Sequence, residues 1–304
     1  MPLAVHNNAL SAGPLRLGSP AVEALVSAGL RATDSISRRH ALRRLDRQLS
    51  RRNHKSALSL VKQLQGKPGG LRAFGAAKQI LQRTTSMDES KFGKMDLSFL
   101  QPLVDSIFDS IRKSIQFGFL DEVSLEEMES LTPRESKESF YEKYYQRCMQ
   151  HEAGHFLVAY LLGVLPRAYK IPSMEDLMQD NFTGGRVEFV DFEFLNDVNK
   201  DKKSLTALNR VCCIILGGLV AEHLVFGFSK GFHSDVRELD RMLKLSGLAE
   251  GEMDSRVKWA VQNAILILHC NHAARTRLAD AMASGRSVGF CIDTIENATN
   301  GDEI

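Results

Sequence analysis

No run of about 18 consecutive apolar residues, the length that marks a bilayer-spanning helix, occurs in this 304-residue chain. The longest apolar stretches, Phe156–Leu165 and Val211–Ala221, are about ten or eleven residues long and contain glycines. They read as buried helices of a soluble body. Cysteine is scarce and unpatterned. Cys148, Cys212, Cys213, Cys270 and Cys291 form no C-x-x-C and no even framework, which excludes a disulfide scaffold and implies a reducing compartment. No G-x-x-x-x-G-K-[ST] is present, since Gly66-Lys67-Pro68 and Gly70–Gly75 are not P-loops. P-loop ATP hydrolysis is therefore excluded. Acids are nearly missing from the start of the chain. Residues 1–87 hold 15 Lys/Arg against Glu23, Asp34 and Asp46, a net of +12, while residues 88–304 carry a net of −10.

That asymmetry predicts a basic, poorly ordered leader over residues 1–86 ahead of an acidic body. Arg38, Arg39, Arg43, Arg44, Arg47, Arg51 and Arg52 crowd one segment. An organelle transit peptide has this Arg- and Ser-rich, acid-poor composition. A basic arm touching nucleic acid or an anionic membrane shares it. The Arg cluster has no interleaved aromatics, which disfavours base stacking, so no nucleic-acid partner is expected. Leu58–Leu81 can form helices broken at Pro68-Gly69-Gly70.

Residues 87–131 read as a helical linker segment. Leu100, Leu103, Val104, Ile107, Phe108, Ile111 and Ile115 fall on one helical stripe. Asp121–Glu129 reads as a polar surface turn. A body over residues 132–304 follows. Thr132-Pro133-Arg134-Glu135 has the composition of a capping box, with a helix running from there to Leu162 and Gly163 as its stop. Ala168–Ile171 and Arg186–Phe192 alternate as strands, with Thr183-Gly184-Gly185 as the turn before the second. A strand edge near such a helix can pair with an extended backbone. Helices resume from Ser204 to Phe226, from Asp235 to Leu245, and from Asp254 or Ser255 to about Ala283. Gly217-Gly218 implies close helix packing. Val288–Ile292 is expected as a short strand or turn. The fold class is mainly α with a small β-element beside the long helix.

The chemistry resides in His151-Glu152-Ala153-Gly154-His155, an H-E-x-x-H within that helix. Four residues of helix bring both imidazoles to one face, with Glu152 beside them. This is the spacing of a Zn²⁺ site with a general base, and it points to metal-assisted hydrolysis of peptide bonds. A third ligand must come from further along. The metzincin extension is absent, because Val158 and Leu161 occupy its Gly and His positions. Glu222, His233 and Asp235 are the candidates. His223, His269 and His272 read as ordinary surface or packing residues.

The chain resembles the peptidase domain of FtsH-type zinc proteases. The resemblance rests on His151–His155, on the apolar helix Phe156–Leu162, on Gly217–Glu222 ending in Phe226-Gly227, and on Ser234-Asp235-Val236, in that order over about residues 135–295. It implies an FtsH-like zinc peptidase domain over residues 132–304. It implies His151, His155 and Asp235 as zinc ligands, Glu152 as the base, and Glu222 as support near the site. The ATPase module of that family is missing, and Lys230-Gly231-Phe232-His233 replaces its usual approach to the Asp. The chain is similar to plant organelle homologues that keep only the peptidase part. That implies the chloroplast, with the mitochondrion as the alternative. The expected substrates are unfolded or flexible proteins and peptides, and the expected associations are a homo-oligomer or a larger protease complex. The competing expectation is an inactive, peptidase-like accessory subunit.

Overall fold

The computed structural model describes residues 36–77, 100–116, 137–179, 184–190, 203–229 and 233–299. Among these lie ten helices and two strands: α1 over residues 36–50, α2 (His54–Leu64), α3 (Leu100–Gln116), α4 (Lys137–Leu161), β1 (Pro166–Lys170), α5 (Met174–Met178), β2 (Arg186–Phe189), α6 (Lys203–Phe226), α7 (His233–Leu245), α8 (Glu250–Cys270), α9 (His272–Ala283) and α10 (Val288–Ala298). The expected capping box at Thr132–Glu135 and the turn at Asp121–Glu129 lie outside the described residues.

The centre of the fold is α4 against α6. From Ala153 to Leu162 every side chain of α4 and the turn after it is buried, as is every residue of α6 from Cys212 to Ala221. A helix that is apolar on all sides belongs in the middle of a bundle. Glycine sets the closeness of this pair. A Cβ on Gly154 would stand 2.4 Å from the Gly217 carbonyl oxygen and 2.7 Å from the Ala221 Cβ, so the backbones meet directly. By length and hydropathy, Thr206–Phe226 could cross a membrane, a longer apolar span than the uninterrupted runs imply. Here it is 78% buried inside the protein, and its Glu222 reaches into α4.

Helix α4 stops where Gly163 takes a positive φ of 76°. Gly163 N–H donates to Tyr160 O and Val164 N–H to Ala159 O, a Schellman closure. The chain then forms β1, which pairs antiparallel with β2 through Ala168↔Glu188, Tyr169↔Val187 and Lys170↔Arg186, with a bulge between Pro166 and Ala168. This is the small β-element expected beside the long helix. Helix α3 is more than a linker. Its Leu100, Val104, Ile107, Phe108 and Ile111 are buried, and Lys258 of α8 sits 4.7 Å over the Phe108 ring.

Three expectations are corrected. Residues 36–77 are part of the folded body, not a poorly ordered leader. Leu42, Leu45, Ala57, Val61, Leu71 and Phe74 are buried in the common core. Gly75 and Ala77 donate backbone N–H groups to the Tyr160 and Leu161 carbonyls at the end of α4; Tyr160 O is shared with Gly163 N–H. Arg38 is buried and bonds Asp293 at 2.7 Å. Asp46 accepts from Ser287 Oγ and Gly289 N, each at 2.7 Å, at the start of α10. Residues 1–35 and 78–99 lie outside the described residues. The second correction is α10. The segment expected as a short strand or turn is a helix of 11 residues, capped by the Ser287 side chain. The single helix expected to run to Ala283 is divided at Asn271 into α8 and α9.

Candidate metal centre

Three elements converge at one point. Helix α4 presents His151 and His155 one turn apart, and α7 presents Asp235 from its first turn. Asp235 Oδ2 lies 2.9 Å from His151 Nε2 and 3.0 Å from His155 Nε2, and the two Nε2 atoms are 2.9 Å apart. Helix α6 lies beneath them. A Cβ on Gly218 would come within 2.5 Å of both Nε2 atoms, so only glycine leaves the imidazoles room.

The outer ring nitrogens fix the tautomers. His155 Nδ1 is 2.8 Å from the Ile214 carbonyl oxygen, which can only accept, so Nδ1 carries the hydrogen. His151 Nδ1 is 2.7 Å from Glu222 Oε1 and donates to that buried carboxylate. In neutral imidazoles both Nε2 lone pairs then face each other and the Asp235 carboxylate. Three electron-rich atoms at such separations repel unless a cation lies among them. Two imidazole nitrogens and one carboxylate oxygen are donors that divalent transition metals accept, and these atoms form a group able to hold a metal ion. The carboxylate and carbonyl behind the imidazoles are the usual outer partners of metal-bound histidine. Without a metal, a proton takes the cation's place. Burial opposes charge on His151, but the Asp235 and Glu222 carboxylates outweigh it and hold His151 at about 10. His155 is also raised: burial opposes its charge, and Asp235 overcomes that. Only one proton fits between two nitrogens 2.9 Å apart.

Glu152 lies beside this cluster and is 2% exposed. Its Oε2 is buried with no hydrogen-bond partner among the described residues. Burial raises its pKa, against the lowering pull of both histidines. Gly185, just before β2, closes over it; a Cβ there would stand 2.5 Å from Glu152 Oε1. An unpaired buried carboxylate costs stability, and such cost concentrates where a group must accept a proton. Within the cluster the Asp235 side chain is 25% exposed where that of His151 is 2% exposed.

The chain matches no protein-family model, no curated protein and no solved structure.

The sequence candidates divide accordingly. His151, Glu152, His155 and Asp235 meet, and Glu222 stands behind His151. His223 packs on its own helix, with Nδ1 3.0 Å from Leu219 O. The backbone of His233 begins α7, two residues before Asp235. His269 and His272 are exposed and away from the cluster. Sequence reasoning missed the Ile214 carbonyl, which carries no side-chain signal. It also missed what the glycines do here. Gly217-Gly218 signalled close packing, but not that Gly218 makes room for the imidazoles, and Gly185 read only as a turn residue.

Proposed function

We propose that the chain is a zinc-dependent metalloendopeptidase of the FtsH type without an ATPase module. The observation that carries this reading is the meeting of His151 Nε2, His155 Nε2 and Asp235 Oδ2 within 3.0 Å, with Glu152 buried beside them. A zinc ion held by these three groups would supply Lewis acidity toward a scissile carbonyl and toward water. Glu152 is the proton carrier. Its burial favours the neutral form, so a proton taken from water is held until the leaving amine needs it. Glu222 and the Ile214 carbonyl keep both imidazoles in the tautomer that turns Nε2 inward. The substrates are unfolded or flexible protein segments, because the 304 residues hold no P-loop to drive unfolding. An organelle, the chloroplast first, is the proposed setting.

The test is casein cleavage by purified protein, with elemental analysis alongside. We expect one zinc per chain and cleavage that stops on chelation. Glu152→Gln should keep zinc and lose about 10² to 10⁴ in rate, the usual contribution of a general base. Asp235→Ala should lose zinc. Equal cleavage by Glu152→Gln would remove the base from the reading. Bound zinc without any turnover in the wild type would favour the inactive accessory subunit.

A further inference from the structure

The exposed face of α1 is a cationic surface that the peptidase reading does not use. Leu42 and Leu45 bury one stripe of the helix, and Arg38 is drawn in to Asp293. The opposite side therefore carries Arg43, Arg44 and Arg47, continued by Arg51, Arg52 and Lys55, all exposed. None of these six forms an ion pair among the described residues. Elsewhere exposed charges do pair, as in Arg241–Glu238 at 2.6 Å and Lys244–Asp240 at 2.7 Å. The one acid of α1, Asp46, is turned to Ser287 and Gly289. Beside α1 runs α2, and the two helices enclose a cavity of about 270 Å³ lined by Arg44, Gln48, Ser56, Ser59 and Gln63, with Leu60 at its side. The polar lining is rich in donors and contains no carboxylate.

We propose that this face docks the protein on an anionic lipid surface, with the groove beside Arg44 taking a headgroup phosphate. Charge complementarity is the argument. Six exposed cations without an ion pair among the described residues sit in a chain whose residues 88–304 carry a net of −10, so basic charge is concentrated where a negative plane can meet it. The segment has no exposed aromatic, its only one being the buried Phe74, so it offers no stacking platform for bases. Apart from Ile36, 61% exposed at its first residue, α1 commits its large apolar side chains to the core and keeps no apolar stripe to insert between acyl chains. Attachment is therefore electrostatic and salt-sensitive.

The experiment is co-sedimentation of the full chain with vesicles of phosphatidylcholine and phosphatidylglycerol at two to one, beside pure phosphatidylcholine. Binding is expected only with the anionic lipid, and it should vanish as salt rises from ~0.1 M to ~1 M, where the Debye length falls from about 10 Å to about 3 Å. Each Arg near such a surface is worth about fivefold in partitioning, so R43Q/R47Q/R51Q together should weaken it roughly a hundredfold. Helical circular dichroism and zinc content should not change. The charge-matched control R186Q/R241Q/K244Q should bind like the wild type. Equal binding to neutral vesicles, wild-type binding by R43Q/R47Q/R51Q, or tighter binding to duplex DNA than to the anionic vesicles would each overturn the proposal.

Discussion

Gly218→Ala separates the metal centre from the fold more sharply than removal of a ligand. In the interior of a helix this change ordinarily stabilises by about 0.5–1 kcal/mol. Here the new methyl would lie 2.5 Å from both His151 Nε2 and His155 Nε2. Non-bonded carbon contacts settle near 3.5–4.0 Å, so the rings must retreat by about 1 Å. Metal–ligand distances tolerate only about 0.2 Å. Loss of an outer partner alone costs roughly 10–100-fold in metal affinity, and displacing both nitrogens should reach at least the upper end. A hundredfold weaker zinc removes about 2.7 kcal/mol of the stability that bound metal confers. At about 2–4 °C per kcal/mol for a chain of this size, Tm in saturating zinc should fall by roughly 5–10 °C. In chelator a difference of about 0–2.5 kcal/mol remains, because overpacking of about 1–3 kcal/mol is partly offset by a propensity gain of about 0.5–1 kcal/mol, so the zinc-dependent part is the change in the gap between the two melts. Gly251→Ala, where nothing lies within 4 Å of the new Cβ, gives the propensity effect alone. The assay is competitive zinc titration beside thermal melts with zinc and with chelator. If Gly218→Ala held zinc as tightly as wild type and melted higher, as Gly251→Ala should, the packing of α6 under the imidazoles would be wrong.

Glu222→Gln keeps an acceptor for His151 Nδ1 but removes its charge, and Glu222→Ala removes both. Zinc affinity should fall modestly in the first and by roughly 10–100-fold in the second, read by the same titration. Equal affinity in both would mean that Glu222 does not orient His151. The metal-free protein should show a pH signature. His151 is held at about 10 against an ordinary 6.5, so its contribution is fully present below about pH 6.5 and is lost as pH climbs through about 10. Melts in chelator should therefore decline from pH 7 to 10, while zinc uptake near pH 7 should release a proton, visible as a buffer-dependent heat in calorimetry. A buffer-independent heat would contradict the protonated cluster. Glu296→Ala would leave Tyr160 Oη, Ala73 N and Arg72 N without the carboxylate they now donate to at 2.7, 3.0 and 2.9 Å. At about 1–3 kcal/mol per orphaned group, the urea midpoint should drop by the equivalent of about 3 kcal/mol or more. An unchanged midpoint would mean that residues 66–77 are not held by α10.

What could be read before the structure, and what could not, divides along a physical line. Helix α3 was visible because its apolar residues repeat with the helical period and end on its buried face. The stop of α4 was visible because Gly163 must adopt a φ that other residues resist. His151, Glu152 and His155 were recognised by type and spacing, because all three belong to one helix, where spacing in sequence is spacing in space; Asp235 was one of three candidates until the family resemblance singled it out. The N-terminal segment failed for the opposite reason. Its apolar stripe is short, and seven arginines in 15 residues swamp it in any compositional reading. Its order comes from partners more than 200 residues away, Asp293 for Arg38 and Glu296 for the Arg72 and Ala73 amides. Helix α10 is the other side of those contacts, since Asp293 and Glu296 are buried in it against that segment. Each error is one side of the same long-range pairing, so neither segment could be read correctly without the other. The composition that suggested a disposable leader is the part of the chain that closes the far end of α4, the helix of His151 and His155. A cleavage that removed it would uncover the Tyr160 and Leu161 carbonyls, four to six residues beyond His155 and Phe156. Any processing that keeps both donors must therefore cut before Gly75.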